Sequence, residues 1–293
     1  MEHGHVSVIE IELAPANEAD REQLLAALAE FAKADARLAF RSSGNVGIAI
    51  AGIDERELDR TLKALRDAHS LEIVVGSPQV AYRETITRSA AVDYTHKHQR
   101  GGTGQYARVK VVCEPLPAGA GCQFESRISD GNVPKEYVRG VETGIGSVLV
   151  AGVFAGFPVI DLKVVLVDGA YHEADSSTLA FEIAARFALR EALVQAGPVL
   201  LEPVLKVEIT TPMAFADAIT RDLQPRRATI QDRTTGSGDE ITLTALVPAA
   251  NMLGYATALR SISQDRASYV VSFDHYAPVP PDPPFRSAAA MRA

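Results

Sequence analysis

The sequence is poor in cysteine and has no long apolar run. Its 293 residues include two cysteines, Cys113 and Cys122, nine positions apart and without a CxxC pattern, which excludes a disulfide scaffold. No apolar run approaches the roughly 18 residues that span a membrane, and no signal peptide opens the chain. We therefore predict reduced thiols and a cytoplasmic location.

The sequence also lacks the short motifs of common catalytic centres. There is no GxxxxGK[ST] phosphate loop, no GxSxG nucleophile elbow and no HExxH metal motif. The Gly-Gly-Thr-Gly run at residues 101–104 lies in a predicted hairpin, with no helix after it to hold a pyrophosphate. The sequence thus predicts no catalytic residue, cofactor or nucleoside triphosphate on this chain.

Positive charge is scarce overall but locally concentrated. The net charge of −8 argues against a generic nucleic-acid binder, which works by bulk positive potential. Residues 94–113 contain no acid, however, and could meet phosphate over a small area. A solvated pair of strands with chance charge explains the same segment. Its basic residues are His96, Lys97, His98, Arg100, Arg108 and Lys110.

Hydrophobic periodicity divides the chain into three segments. Residues 1–79 are predicted to form strand, helix, strand, strand, helix and strand, with Asn17 capping the first helix. Residues 203–293 repeat that order, with their second helix predicted at residues 249–262. Residues 80–202 form a different, central domain. The predicted fold class is α+β, with two ferredoxin-like βαββαβ sandwiches flanking the central domain.

The central segment contains two unusual loops. A long strand pattern at residues 82–94 enters a loop with the sequence HKHQRGGTGQ, and a second strand returns from it as a hairpin partner. Another strand, at residues 159–167, leads into the loop DGAYHEADSS, and a closing helix is predicted to begin at Ser176. We expect both loops to lie at one end of the same sheet.

The second loop carries a histidine and acids, so catalytic and metal-binding roles must be considered. His172 with Glu173 or Asp175 has the right chemistry for general acid–base catalysis near neutral pH. A metal could bind His96 and His98, or the His172 loop, but no third ligand is placed by spacing. The metal interpretation is therefore weak.

Helix capping and RNA contact are the other interpretations of this loop. Asp175 and Ser176 stand where a helix N-cap belongs, and capping is the favoured role of Asp175. Capping leaves Tyr171 and His172 unexplained. Polar aromatic groups at a loop tip are typical of stacking on bases and bonding to ribose and phosphate.

Longer motifs resemble a single family. The chain is similar to the carboxyl-terminal half of bacterial translation elongation factor G in VAYRETI, GGTGQYARVKV, VPKEYV, AGFPVIDLKVVLVDGAYHEADSS, LEPVLKVEITTP, LQPRRATI, VPAANMLGYATALRS and FDHY. The resemblance is specific over residues 80–276 and weaker over residues 1–75. It corresponds to the third, fourth and fifth domains of that factor, here residues 1–79, 80–202 and 203–293.

The resemblance implies a function in translocation. The fourth domain of the family is an elongated finger, with a ribosomal-protein-like α+β fold, whose tip enters the decoding site. Its tip loops would here be residues 100–106 and 168–176, and its partners the ribosome, transfer RNA and messenger RNA, with the chain a monomer. The implied contact residues are Arg100, Gly101, Gly102, Thr103, Gly104, Gln105, Tyr171, His172, Glu173, Asp175, Ser176, Arg226 and Arg227.

Several positions depart from the family pattern. Thr103 and Ala107 interrupt the usual GGRGQYG loop and remove one cation, and Ala174 stands where the family mostly has valine. Because the GTPase part is absent, we expect a fragment of a longer protein, with GTP and magnesium only on the missing part. Two alternatives stay open, namely a ribosomal protection protein and a ribosome-binding protein that works without GTP.

Overall fold

The computed structural model describes residues 6–34, 38–42, 47–69, 72–100, 103–128, 133–236 and 238–280. These residues form a mixed α+β structure with three sheets and six α-helices. They fall into two compact units, one drawn from Met1–Ala81 and Glu202–Ala277 (unit 1) and the other from Tyr82–Leu201 and Pro278–Ala293 (unit 2). In the described residues, no helix combines the length and the apolar character that crossing a membrane requires.

The first sheet of unit 1 follows the predicted strand and helix order. Its strand order is β2-β3-β1-β4, and β5 pairs with β1. Asn17 caps the first helix as predicted, since its side-chain oxygen accepts the Asp20 N–H at 2.9 Å. The elements are β1 (Ile9–Pro15), α1 (Glu18–Ala34), β2 (Ala39–Ser42), β3 (Ile48–Gly52), α2 (Glu55–His69), β4 (Ile73–Val75) and β5 (Gln79–Val80).

The middle sheet belongs to unit 2 and has the order β7-β8-β10-β9. Strands β9 and β10 are parallel, because helix α3 supplies the crossover between them. The predicted loop HKHQRGGTGQ proves to be mostly strand, since β7 runs to Arg100 and β8 starts at Thr103. The elements are β6 (Arg83–Ile86), β7 (Ala90–Arg100), β8 (Thr103–Pro115), β9 (Cys122–Ser126), α3 (Lys135–Ala151), β10 (Leu162–Ala170) and α4 (Thr178–Gln195).

The two helices of unit 2 lie in close contact. A Cβ at Gly140 or Gly144 would come closer than 3.0 Å to the backbone oxygen of Thr178 or Glu182 in α4. Glycine at both positions therefore allows α3 to approach α4, and the buried face of α4 covers the sheet. This face positions the start of α4, and with it the loop that precedes the helix.

A buried carboxylate fixes the chain between α3 and β10. Glu84 in β6 is 1% exposed. Its Oε1 and Oε2 together accept five backbone N–H groups in the turn after α3, at 2.7 to 3.1 Å. Consecutive N–H groups pointing inward form a concave anion site, here filled by the protein's own side chain. The donors are Val153, Phe154, Ala155, Gly156 and Phe157.

The last sheet has the strand order β12-β13-β11-β14, and β6 pairs with β11. Residues 198–201 of β11 pair with β6 in unit 2, and residues 204–212 pair with β13 in unit 1. The helix predicted at residues 249–262 is instead a short 3-10 helix and then α6, because Gly254 adopts φ +70° between them. The elements are β11 (Pro198–Pro212), α5 (Met213–Leu223), β12 (Thr229–Thr235), β13 (Glu240–Pro248), the 3-10 helix (Ala249–Met252), α6 (Tyr255–Ser263) and β14 (Ser268–Pro278).

Candidate nucleic-acid interface

The two loops singled out in the sequence meet at one end of the middle sheet. Strand β10 stops at Ala170, opposite Arg108 of β8. Two residues farther toward the loop, Tyr106 has lost its strand partner on that side, and its N–H donates instead to the Asp175 carbonyl at 2.8 Å. The Tyr106 carbonyl accepts the Ser176 hydroxyl at 2.7 Å. The prediction that both loops share one end of the sheet is confirmed for the described residues.

Residues 172–176 form a closed turn. The Ser176 N–H donates to the His172 carbonyl at 3.0 Å, and the His172 N–H donates to the Ser176 hydroxyl at 2.9 Å. Helix α4 starts two residues later than predicted, and its N-cap is Ser177, whose hydroxyl accepts the Ala180 N–H at 3.1 Å. The capping role predicted for Asp175 and Ser176 is therefore wrong, because Ser177 occupies that position.

The turn presents a histidine to solvent. The His172 side chain is 60% exposed, and its Nδ1 lies 3.3 Å from Asp175 Oδ2. Tyr171 and Glu173 beside it are exposed as well. A His–carboxylate pair that is open to solvent suits contact with a large partner better than acid–base chemistry on a sequestered substrate.

A glycine of the first loop lies against the side chain of an acid in the second loop. A Cβ on Gly104 would lie 2.5 Å from Asp175 Cγ, closer than real side chains come. Only glycine fits here without moving the acid. Gly101 and Gly102 lie outside the described residues, and so do the side chains of Arg100 and Thr103. A cavity of about 440 Å³ between the loops is lined by His98, Gly104, Gln105, Ala174, Asp175, Ser176 and Ser177.

Part of the positive charge of residues 94–113 is neutralised by acids outside that stretch. Arg108 pairs with Asp93 and also donates to Asp168 at 3.2 Å. The hydrogen bond from Arg108 lowers the pKa of Asp93, and the charges of Arg108 and Lys110 add to this effect. Arg108 is thus engaged along the sheet, whereas Lys97 is exposed near the tip.

The histidines of β7 do not form a metal site with other described residues. His96 Nε2 lies 3.0 Å from Gln105 Oε1 across the hairpin, and His98 is exposed. Within the described ranges, no group of three or more His, Cys, Asp or Glu side chains is placed to hold a metal ion.

The comparison with known proteins identifies the family. Residues 78–197 match the model of elongation factor G, domain IV, and residues 199–286 match the model of the elongation factor G C-terminus. This chain belongs to the elongation factor G family. The resemblance inferred from the motifs is confirmed, and the middle sheet with its two loops lies in the segment that matches domain IV.

Individual relatives agree with the family models. The chain is 49% identical over 274 residues to elongation factor G of Rhodopseudomonas palustris, and equally to that of Cereibacter sphaeroides. The alignments cover 93% of this chain, which spans only 40% and 39% of those relatives. A crystal structure of a Thermus thermophilus protein is similar with a TM-score of 0.72 and 34% identity, over 94% of this chain and 42% of that one.

One residue that supports the domain IV loops was missed by the sequence reasoning. The Tyr137 hydroxyl of α3 donates to the Ser176 carbonyl at 3.3 Å. Its ring stacks on Phe181 with centroids 5.0 Å apart and lies 6.1 Å from the Tyr171 ring. Tyr137 was visible in the VPKEYV motif, but only the tertiary structure shows that it reaches the loop.

The two arginines of the elongation factor G C-terminus segment have mainly internal partners. Arg226 is 21% exposed, and it contacts Asp222 at 2.9 Å and the Asn251 carbonyl at 2.8 Å. Arg227, at φ +60°, forms a two-point pair with Glu202 at 2.5 and 3.1 Å. That both arginines face RNA stays a prediction, and the Arg226 side chain is bonded on one side to Asp222 and Asn251.

These contacts of Arg226 give a prediction about stability. Replacing Arg226 with alanine should lower the free energy of unfolding by about 1–3 kcal/mol, because the ion pair with Asp222 and the bond to the Asn251 carbonyl are both lost. The matched control is Arg233→Ala, since Arg233 is exposed and pairs with the exposed Asp217. Urea unfolding followed by circular dichroism measures both variants. Equal midpoints would contradict the internal role of Arg226.

Proposed function

We propose that this chain is the ribosome- and RNA-contacting part of an elongation factor G-type translational GTPase, and that it promotes translocation. Its partners in this proposal are ribosomal RNA and proteins, transfer RNA and messenger RNA. GTP binding and its magnesium ion belong to the part of the relatives that this chain does not span. The relatives are named elongation factor G, which favours translocation over ribosomal protection.

The proposal rests on the tip of unit 2, where the end of the β7–β8 hairpin and the turn of residues 172–176 are bonded to each other. Tyr106 holds residues 172–176 against the β7–β8 hairpin, and the turn leaves His172 exposed. A rigid turn with an exposed aromatic ring can stack on bases or bond to ribose at little entropic cost, because it is already ordered before binding. We propose that His172, with Tyr171 and Glu173, contacts the codon–anticodon helix.

Local charge makes such a contact compatible with the net charge of −8. Lys97 and His98 are exposed near the tip, and Arg108 engages both Asp93 of β7 and Asp168 of β10. Phosphate contact needs cations only where the backbone of the RNA passes. We propose that Lys97 faces a phosphate group.

We also propose a three-domain arrangement, residues 1–79, 80–202 and 203–293, with ferredoxin-like sandwiches at both ends. The strand orders β2-β3-β1-β4 and β12-β13-β11-β14 support this, because each places the first and third strands of a βαββαβ unit in the centre. The central domain would have a ribosomal-protein-like fold.

Ribosome binding by the chain tests the proposal. Lys97→Glu should weaken binding of the fluorescently labelled chain to bacterial ribosomes about tenfold, and should reduce the slope of log affinity against log salt by about 1 to 2. The control Lys63→Glu makes the same charge change at an exposed lysine of α2 in unit 1. If both variants bind alike, the tip is not an RNA-contacting surface.

A further inference from the structure

The hydroxyl of Ser176 joins the two tip loops. It accepts the His172 N–H at 2.9 Å and donates to the Tyr106 carbonyl at 2.7 Å. The first bond closes the turn of residues 172–176, and the second attaches that turn to β8. A single side chain therefore connects the backbone of the exposed histidine to the sheet.

These bonds leave Ser176 without a donor for RNA. A serine hydroxyl has one hydrogen to donate, and Tyr106 receives it. Donation to a phosphate or a ribose would require the bond to β8 to break. Ser176 is also only partly exposed, whereas His172 and Glu173 are exposed. This geometry favours a positioning role for Ser176 over the direct contact that the family resemblance implied.

The direction of the His172 side chain depends on the same bonds. Its backbone N–H is held by the Ser176 hydroxyl and its carbonyl accepts the Ser176 N–H at 3.0 Å, so both peptide groups of His172 are fixed by one residue. Glycine at position 104 leaves room for the Asp175 carboxyl group in its present position, because a Cβ there would displace it. Without the hydroxyl, the turn keeps fewer attachments to β8, and the backbone that carries the imidazole is held less firmly.

We infer that Ser176 is a positioning residue, which fixes the turn of residues 172–176 on β8 and acts on RNA only through His172. Its action on RNA rests on the proposed function of His172. Its action on the turn does not, and can be measured in the chain alone.

Hydrogen exchange of the free chain tests the structural half of the inference. Ser176→Ala should speed exchange of the His172 and Tyr106 amides about tenfold. The His172 N–H loses its acceptor, the Ser176 hydroxyl. The Tyr106 N–H keeps its acceptor, but the hydrogen bond at the Tyr106 carbonyl, which helps to hold the turn on β8, is lost. Ser176→Thr keeps the hydroxyl and should restore slow exchange. The control Ser177→Ala removes the N-cap of α4 but leaves both bonds of the Ser176 hydroxyl, so these two amides should not change. Unchanged exchange in Ser176→Ala would overturn the inference.

A double-mutant cycle on ribosome affinity tests the functional half. If Ser176 acts through His172, Ser176→Ala and His172→Ala each weaken binding by a similar factor, and the double variant binds no more weakly than His172→Ala. If the double variant lost affinity by the product of the two single factors, Ser176 would contact RNA itself, and the inference would be overturned. An unchanged affinity in His172→Ala would contradict the proposed function of the turn and the action through His172, while the exchange pattern would still decide whether Ser176 holds the turn.

Discussion

Replacing Glu84 with glutamine is expected to lower the free energy of unfolding of unit 2 by about 3 kcal/mol or more. Its Oε2 accepts two backbone N–H groups and its Oε1 accepts three. Glutamine presents an NH2 group in place of one oxygen, so at least two buried donors would face another donor. Each buried donor that loses its acceptor costs about 1–3 kcal/mol. Either orientation of the amide is unfavourable, which makes the loss unavoidable.

The same substitution at a partly exposed surface acid provides the control. Glu125 in β9 contacts Arg127 and Lys163 at the surface of unit 2, and exposed pairs contribute little. Glu125→Gln should therefore leave unfolding nearly unchanged. Hydrogen exchange of the β8 and β10 amides under increasing urea reports unit 2 specifically. If Glu84→Gln and Glu125→Gln gave the same midpoint, the five hydrogen bonds would not stabilise the turn.

The sequence predicts the regular elements well because their signals are local. The alternation in β1 and the spacing of Leu24 and Leu28 on α1 are properties of short segments, and both leucines are buried. Asn17 is also a local signal, since a cap bonds within its own turn. Such local signals were enough to predict that the first and last segments of the chain have the same order of strands and helices.

Boundaries at the site were harder to predict, because they depend on distant partners. Ser177 caps α4, rather than Asp175 or Ser176, since Ser176 is engaged by Tyr106, 70 positions earlier in the chain. The strand β7 continues through His96 and His98 because β8 pairs with it, although the sequence there is polar. Polar composition indicates exposure, and in a paired hairpin it does not indicate a loop.

Residue roles were the least predictable part. Glu84 was visible within a family motif, but its donors lie 69 to 73 positions away, so no spacing rule connects them. Arg226 stands at a helix end, where a cation near the carbonyl terminus is common. Only the positions of Asp222 and Asn251 show that its side chain is held internally. Motifs locate such residues, and the packing around each one decides its role.

Replacing His172 with alanine should slow messenger RNA movement about tenfold or more, in a factor assembled from this chain and the amino-terminal part of the Rhodopseudomonas palustris relative. The imidazole is 60% exposed on a turn fixed to the sheet, and loss of an aromatic contact with a base costs about 1–3 kcal/mol. Ribosome-stimulated GTP hydrolysis should stay nearly unchanged, because the proposed contact is made with RNA and not with the nucleotide. The control His275→Ala removes another exposed histidine beside an aspartate, in β14 of unit 1.

Fluorescent messenger RNA in rapid-mixing experiments gives the rate of movement, and phosphate release gives the rate of GTP hydrolysis. A parallel fall in both rates, or a bell-shaped pH dependence lost with the imidazole, would instead identify His172 as an acid–base group.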